Sequence, residues 1–433
     1  MKFPGRRKSQ HYFPVGEHKR IPLETDFASE QNTYIIGIEQ LIVDIEARVD
    51  TDQLNKYKLS KGQSVVLDDN TIETIYQELS KSGKIVGEFA GGTIGNTLHN
   101  YSVISDNRSV CLASIPRTIT VGDYAFKYIC NTNSHVDFSY VQPCDGKMAR
   151  ALCLVCEDGE RTFALGKGIM NELSEKFIPE DVVSNAACLL ITAYLLRDEN
   201  APMFKATLKA VRIAKEHKVP VVLTLGTSSL IEEKNEFFKE FIKEYVTVIA
   251  MNEQEAKALV GETDRLLALN KALEYCDMAF LTAGADGLYI AGYVDKEAAR
   301  ETKDKIHSKS IPEYNKYEYS RCMHKSQCSD PIKIYSHINP YMGGPGKRIK
   351  NTNGAGDAAL SALLHDIAAN CFHKSIVPNS PKHTFNFLTY SSIHQICKYA
   401  NRVSYEVLNQ NSPRLSRELP VKEDNLEEGY WAL

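Results

Sequence analysis

A turn built almost entirely of small residues, followed at once by a helix, most constrains what this 433-residue chain can be. The turn is Gly354-Ala355-Gly356, and Asp357 follows it directly. Apolar residues after the turn recur at helical spacing, so the sequence predicts a helix that begins there; they are Leu360, Leu363, Leu364 and Ile367. A helix start presents unpaired N–H groups and the positive end of its dipole, and small residues let a phosphate approach them closely.

Asp357 is poorly placed if the turn only binds phosphate, because two negative charges repel each other. Its position makes chemical sense if its carboxylate takes a proton from a hydroxyl that attacks the phosphate. The turn would then stabilise the charge that develops on the transferring group. The alternative is a glycine-rich loop before an ordinary helix with an acidic first turn.

Composition limits the class of protein. The chain is long enough for one large domain with a sub-domain, or for two domains. Its formal net charge of −4 argues against a general nucleic-acid or membrane-surface partner. The basic residues 1–8 precede no apolar run, and no apolar stretch reaches the length of a membrane span. Eleven scattered cysteines, an odd number, predict reduced thiols and a cytoplasmic location.

Apolar runs that alternate with helical segments indicate an α/β fold with a mostly parallel sheet covered on both faces. Strands are predicted at 34–38, 84–89, 188–194, 219–225, 246–251 and 278–282, and helices at 201–218, 233–244 and 253–259. Residues 45–64 and about 109–163 lack long helical periodicity and contain short alternating runs. We expect them to form a small β-rich lid, because phosphoryl transfer must exclude water.

A second glycine-rich run follows the strand at 84–89 and is predicted to open a helix. Its glycines would let the backbone approach a ligand rich in hydroxyls, and its asparagine can donate and accept at one hydroxyl. The alternative is a tight turn between a strand and a helix, which accounts for the same residues equally well. The candidate ligand contacts in this run are Gly91, Gly92, Thr93, Gly95 and Asn96.

These two runs, in this order and separation, resemble the ribokinase-like (PfkB) family of sugar and nucleoside kinases. The resemblance implies a three-layer α/β fold with a lid, a kinase domain at 34–408, a surface insertion at 293–350 and terminal arms at 1–33 and 409–433. It also implies Asp357 as catalytic base and Gly354, Ala355 and Gly356 as anion hole, with ATP as phosphate donor and Mg²⁺ as cofactor. We leave open whether the tail from Asn409 docks on its own body or on the second subunit of a homodimer.

On the acceptor side, Asp44 is predicted to lie at the carboxyl end of the first strand, where open α/β sheets bind ligands. The resemblance implies that Asp44 grips the 2′ and 3′ hydroxyls of a ribose; a solvated loop acid is the alternative. Glu39 is a further nucleoside-binding candidate. Arg197, just past the strand at 188–194, is a candidate donor to O6 or N7 of a 6-oxopurine. A surface arginine paired with Asp198 or Glu199 is equally compatible with the sequence.

On the donor side, residues 252–255 (Asn-Glu-Gln-Glu) follow a strand. The resemblance implies that Glu255 positions Mg²⁺ mainly through water, whereas an ordinary acidic helix start would give the same letters. The turn at 282–287 resembles the family's triphosphate-lining turn. The ATP-binding candidates are Asn252, Thr282, Gly284, Gly287, Asn353 and Asn401, the last of them near the adenine or simply a helix residue with a solvated amide.

The segment Asn351-Thr352-Asn353 stands where the family usually has Asp-Thr-Thr. In the family this segment helps to bind a monovalent cation, so the missing carboxylate weakens the expectation of potassium activation. The runs at 91–96, 157–163 and 351–357 together resemble family members that phosphorylate the 5′-hydroxyl of guanosine and inosine. The alternatives are a sugar kinase or another nucleoside kinase of the same family, or a non-catalytic nucleotide-binding subunit.

Overall fold

Two β-sheets and the helices around them make up the computed structural model, which describes residues 33–341, 349–350, 352–416 and 419. The strands are β1 (Ile35–Ile38), β2 (Ile42–Arg48), β3 (Ser64–Leu67), β4 (Ile85–Ala90), β5 (Ser109–Leu112), β6 (Ser114–Pro116), β7 (Val136–Asp137), β8 (Gln142–Cys144), β9 (Ala149–Val155), β10 (Arg161–Gly166), β11 (Leu189–Thr192), β12 (Val221–Thr224), β13 (Val248–Asn252), β14 (Met278–Thr282), β15 (Leu288–Asp295) and β16 (Pro331–Ile338). The α-helices are α1 (Thr51–Lys56), α2 (Asp69–Lys81), α3 (Thr93–Ser105), α4 (Tyr124–Cys130), α5 (Glu180–Ser184), α6 (Pro202–Glu216), α7 (Ser228–Glu233), α8 (Asn235–Tyr245), α9 (Glu253–Val260), α10 (Arg265–Ala272), α11 (Ala355–Ile376) and α12 (Ile393–Leu408).

The large sheet has nine described strands in the order β16-β15-β14-β13-β12-β11-β1-β5-β7. The strands from β14 to β7 are parallel, and β15 and β16 complete one edge in antiparallel pairing. From β1 the sheet grows towards β5 on one side and towards β11 on the other, so strand order reverses there. Open α/β sheets bind ligands outside the carboxyl ends of the strands at such a reversal.

Both faces of the large sheet are covered, as the apolar runs predict. In β1, Ile35 belongs to one buried apolar cluster, whereas Ile36 and Ile38 belong to the other. The first cluster includes side chains of α3, α11 and α12, and the second includes side chains of α5 to α10. Successive strand residues point to opposite faces, so this division places a helical layer on each side. The predicted three-layer α/β architecture is confirmed.

A separate five-stranded sheet, here called the small sheet, has the order β3-β10-β9-β2-β4. Its strands differ from the predicted lid bounds of 45–64 and 109–163. Ser109–Leu112 lies instead in the large sheet beside β1, because its buried residues Val110 and Cys111 belong to opposite apolar faces. The small sheet also includes Ile85–Ala90, whose pairing partner is β2.

The predicted insertion at 293–350 also has different bounds. Its first residues complete β15, and β16 pairs with β15 along its whole length, from Leu288 opposite Ile338 to Asp295 opposite Pro331. Within the described part of 293–350, residues 296–330, 339–341 and 349–350 therefore lie outside these two strands. The sequence conceals β16 because an edge strand alternates polar and apolar residues and carries lysine and histidine on one side.

Two further predictions concern the environment of the chain. None of the described helices combines the length and the apolar character that a bilayer crossing requires. All eleven cysteines fall within the described residues, and each carries a free thiol.

Candidate active site

The predicted turn does open a helix, since α11 begins at Ala355. Gly354 is its N-cap residue, with φ of 76°, a conformation that favours glycine. A Cβ added to Gly354 would lie 2.5 Å from the backbone oxygen of Pro413, so the position also lacks space for a side chain. Gly356 and Asp357 occupy the first helical turn, where the N–H groups have no partner within the helix. The start of α11 can therefore donate to an anion.

A cavity of about 180 Å³ lies beside this helix start, at the carboxyl ends of β12, β13 and β14. It brings together six of the predicted site residues from four separate segments of the chain. The lining includes Thr93, Thr224, Gly226, Asn252, Glu255, Thr282, Gly356 and Asp357.

Asp357 lines this cavity and is half-buried. Asn96 Nδ2 donates to Asp357 Oδ2 across 3.0 Å. Desolvation raises the pKa of Asp357 to about 7; the Asn96 hydrogen bond opposes this rise, and the charges of Asp44 and Glu255 add to it. A carboxyl group that exchanges its proton near neutral pH suits general-base catalysis.

Asp44 lies within β2, between Ala151 and Phe89 of the neighbouring strands, and not at the end of the first strand as predicted. The sequence prediction fails here because β1 ends at Ile38 and the chain restarts as a strand of the small sheet. Asp44 nevertheless points into the site, since a Cβ added to Gly91 would collide with its carboxylate. Burial raises the pKa of Asp44 to about 6, against the opposing charge of Arg414.

Glu39 directly follows β1 and is 2% exposed. One carboxylate oxygen accepts from the N–H of Gly95 and the other from the N–H of Gln40. Gly92 is the N-cap residue of α3 and has no side chain to accept from the first-turn N–H of Gly95, so the carboxylate of Glu39 accepts from it instead. Burial raises the pKa of Glu39 to about 8. These contacts occupy Glu39 in holding the glycine-rich turn at 91–96.

Asn96 lies in the first turn of α3 and has both ends of its amide engaged. Its Oδ1 accepts from Arg414 Nε across 3.0 Å, while its Nδ2 donates to Asp357. The sequence predicts that Asn96 both donates and accepts at one substrate hydroxyl. In the structure its oxygen accepts from Arg414 and its nitrogen donates to Asp357, so one of its two acceptor sites and one of its two N–H groups are already used.

Asn252 and Glu255 form a reciprocal capping box at the start of α9. Residues 252–255 are therefore a helix start, as the alternative interpretation of the sequence states. Glu255 accepts from the backbone N–H of Asn252 across 3.0 Å and from Asn252 Nδ2 across 2.8 Å. Its carboxylate also lines the cavity, is 5% exposed, and has its pKa raised by desolvation. A buried carboxylate with lone pairs to spare fits a hydrated Mg²⁺, which needs few protein ligands.

The remaining donor-side candidates occupy different surroundings. Thr282 lines the cavity, Gly284 begins the short 3₁₀ turn after it, and Gly287 follows that turn. Asn401 Nδ2 donates to the backbone oxygen of Asn339 across 2.6 Å. Asn353 Oδ1 accepts from Arg161 of the small sheet across 2.8 Å. Thr282 therefore shares the cavity with Asp357, whereas Asn401 and Asn353 lie beyond its lining.

Arg197 follows β11 and is exposed, with its guanidinium 5.2 Å from the centre of the Tyr194 ring. Tyr194 in turn donates to the backbone oxygen of Gly226, which lines the cavity. The described contacts do not join Arg197 to Asp44 or Asn96. One of its alternative partners, Glu199, pairs instead with Lys234.

Sequence reasoning missed Pro413 and Arg414, which lie in the segment predicted as a terminal arm. Arg414 is 4% exposed and contacts Asn96, and Pro413 packs on Gly354. The surrounding sequence, Asn-Ser-Pro-Arg-Leu-Ser, has the polar composition of a surface tail. Only the contacts that form on folding distinguish this segment from a surface tail.

The fold and this site define a phosphotransferase: a helix start that can donate to an anion and a titratable carboxylate share a cavity at the carboxyl edge of an α/β sheet. The family model "pfkB family carbohydrate kinase" matches residues 122–308. The guanosine-inosine kinase of Escherichia coli (strain K12) is 53% identical over 435 residues, covering 100% of both chains. The guanosine-inosine kinase of Escherichia coli O157:H7 gives the same values. The chain belongs to the pfkB, or ribokinase-like, kinase family.

Solved structures agree on the fold. A probable sugar kinase from Rhizobium etli CFN 42 has a TM-score of 0.65 at 20% identity, over 92% of this chain and 98% of the other. An adenosine kinase from Sinorhizobium meliloti has a TM-score of 0.64 at 21% identity, over 90% and 98%. At these identities the likeness concerns architecture alone.

Proposed function

We propose that this kinase transfers the γ-phosphoryl group of ATP to the 5′-hydroxyl of guanosine and inosine, forming GMP and IMP. One observation carries the proposal: Asp357 stands between the acceptor-side groups Asn96 and Asp44 and the cavity lined by Asn252, Glu255 and Thr282. The purine nucleoside is taken from the relatives that are 53% identical over the whole chain.

In the proposed reaction, Asp44 accepts hydrogen bonds from the ribose 2′ and 3′ hydroxyls and so directs the 5′-hydroxyl towards Asp357. Asp357 removes the proton as the 5′ oxygen bonds to the γ-phosphorus and the bond to the β,γ-bridging oxygen breaks. The N–H groups at the start of α11 stabilise the transferring group. ADP leaves with the bridging oxygen. The protein contributes positioning and charge stabilisation and little covalent chemistry, as is usual for phosphoryl transfer.

The donor triphosphate would lie in the cavity between Gly356 and the ends of β13 and β14. Asn252 and Thr282 would contact it there, with Gly284 and Gly287 beside it. Glu255 would hold Mg²⁺ through water, and the bound ion would neutralise charge on the phosphates. Asn353 and Asn401 are assigned to the nucleotide from the family resemblance.

Base selection follows from hydrogen-bond polarity. A 6-oxopurine offers an acceptor at O6 and a donor at N1, and adenine offers the opposite pair. A pocket with fixed polar groups therefore rejects adenosine by leaving those groups unpaired, by up to about 10⁴-fold. Arg197 is our candidate donor for O6 or N7. The proposed cytoplasmic location fits the eleven free cysteines.

The deciding experiment measures initial rates with guanosine, inosine, adenosine and ribose under saturating Mg-ATP. We expect kcat/KM for guanosine and inosine to exceed the values for adenosine and ribose by at least about 100-fold. A preference for ribose or adenosine would replace the proposed acceptor. No turnover with any acceptor would favour a nucleotide-binding subunit.

A further inference from the structure

The segment 411–416 folds into the body of the protein, although it follows the last described helix. Asn100 Oδ1 accepts from the N–H of Leu415 across 2.8 Å, and His99 Nε2 donates to the Leu415 oxygen across 2.9 Å. His99 Nδ1 accepts from the N–H of Asn133, so the ring is neutral with its proton on Nε2. Burial lowers the pKa of His99 to about 4 and maintains that state at neutral pH. Helix α3 thus fixes the segment by two adjacent residues.

Arg414 is the centre of these contacts. Its Nε donates to Asn96 Oδ1 across 3.0 Å, and its terminal nitrogens donate to Thr132 Oγ1, at 2.6 Å, and to the Tyr128 hydroxyl, at 2.9 Å. The guanidinium also lies 4.7 Å from the centre of the Tyr128 ring. Within the part of the chain that the structure describes, no carboxylate forms a direct ion pair with Arg414. Its charge nevertheless acts on three nearby carboxylates, because it lowers the pKa values of Glu39, Asp44 and Asp357.

The orientation of the Asn96 amide depends on this arginine. An amide side chain can rotate to exchange its oxygen and nitrogen, but a guanidinium has donors only. Arg414 therefore requires the Asn96 oxygen on its own side, and the amide nitrogen must face Asp357. The hydrogen bond from Asn96 Nδ2 then engages Asp357 Oδ2 and leaves Oδ1 for the hydroxyl proton.

We propose that Arg414 is a positioning residue for phosphoryl transfer: it fixes the amide of Asn96, which in turn holds the carboxylate of Asp357 in the geometry of a general base. The proposal rests on the proposed function, but not on the identity of the acceptor. Pro413 strengthens it, because the same segment packs against Gly354 of the anion-binding turn. One short segment thereby connects the acceptor run at 91–96 with the start of α11.

The test compares Arg414→Gln and Arg414→Lys with the wild type, and with Arg117→Gln as an exposed arginine control. We expect Arg414→Gln to lower kcat by about 10- to 100-fold, the cost of a misplaced catalytic group, while KM for guanosine changes less than about threefold. Arg414→Lys keeps the charge but lacks the planar fork, so kcat should fall to a similar extent. Arg117→Gln should leave both constants unchanged.

The pH profile separates positioning from a merely structural role. Asp44, Glu39 and Glu255 face Asp357 with like charge, and Arg414 opposes them. Removing the cation in Arg414→Gln should move the acidic limb of kcat/KM to higher pH. Arg414→Lys should leave the limb within about 0.3 pH units of the wild type, because the charge remains. An acidic limb that stays in place in Arg414→Gln would overturn the proposal.

A double-mutant cycle with Asn96→Ala completes the test and uses Arg414→Lys if Arg414→Gln does not fold. When Arg414 acts through Asn96, the second substitution should cost less than about twofold in kcat once the first is present. Independent, multiplicative losses would overturn the positioning role. A wild type inactive on all four acceptors refutes the proposed function, whereas an active wild type with an unaffected Arg414→Gln refutes only the positioning role.

Discussion

Arg161 Nη1 of the small sheet donates to Asn353 Oδ1 across 2.8 Å, immediately before the turn that opens α11. This contact joins strand β10 to the anion-binding turn, two parts of the molecule separated by 192 positions in sequence. A hydrogen bond between exposed side chains is worth about 0.5–1.5 kcal/mol. The small sheet therefore contributes directly to holding the turn that opens α11.

Replacing Arg161 with alanine should raise KM for Mg-ATP by up to about tenfold, the equivalent of the upper end of that energy, because the turn loses its support. KM for guanosine should change little. Arg117→Ala, which removes an exposed arginine paired with Asp145, provides the control. Steady-state kinetics with each substrate varied in turn measure the effect, and an unchanged KM for Mg-ATP would mean that the contact has no role in nucleotide binding.

Asp357→Asn should lower kcat by about 10²–10⁴-fold, the range for a lost general base. Calorimetry should show nearly unchanged guanosine affinity, since the amide keeps the size of the side chain. Asp158→Asn, at an exposed aspartate in the turn between β9 and β10, is the matched control. Near-wild-type turnover in Asp357→Asn would remove Asp357 from the chemistry.

The rate should fall as pH decreases through about 7, because burial raises the pKa of Asp357 to that value and only its ionised form accepts a proton. The like charge of Asp44 contributes to this rise. In Asp44→Asn the acidic limb of kcat/KM should therefore move to lower pH. A limb that moves upward, or one that lies near the ordinary aspartate value of about 4, would contradict the assignment.

Asp44→Asn should also raise KM for guanosine by about 10- to 100-fold, since two charge-assisted hydrogen bonds to the ribose hydroxyls become neutral. The penalty should be smaller for 2′-deoxyguanosine, which offers one of these hydroxyls less. Glu46→Gln, two residues further along β2 on the same side of the small sheet, should leave both values unchanged. Equal penalties for the two nucleosides would show that Asp44 does not bind the 2′-hydroxyl.

Gly354→Ala should lower the stability of the fold, whereas Gly356→Ala should weaken the binding of Mg-ATP. Gly354 has φ of 76° and would press a methyl group against Pro413, so its substitution should destabilise the fold by about 1–3 kcal/mol. Gly356 has no atom within 4 Å of an added Cβ, so the melting temperature of Gly356→Ala should stay close to the wild type. Its methyl group would instead enter the cavity and raise KM for Mg-ATP. Thermal melts and kinetics on both variants decide this.

The sequence predicts those parts of the fold and site that depend on local patterns. The turn at 354–356, the strands β11 to β14 and the capping residues Asn252 and Glu255 all carry a short-range periodicity or a local hydrogen-bond motif. Local physics therefore suffices to place them, and the cavity at the strand ends follows from a parallel sheet.

Other features depend on contacts between distant segments, which a single sequence does not reveal. The strand around Asp44 belongs to the small sheet because it pairs with β4 and β9, and its local sequence does not specify that pairing. Arg414 meets Asn96 across 318 positions. This contact forms only when the segment 411–416 has folded onto α3, which contains Asn96.

The chain leaves the large sheet at Ile38 and enters the small sheet at Ile42, so Asp44 and Asp357 belong to different layers of the molecule. A nucleoside that contacts both Asp44 and Asp357 would connect these layers. Acceptor binding should consequently slow amide hydrogen exchange in β2 and β9, far beyond the few residues it touches. The substrate would then become a structural component of the enzyme for as long as it stays.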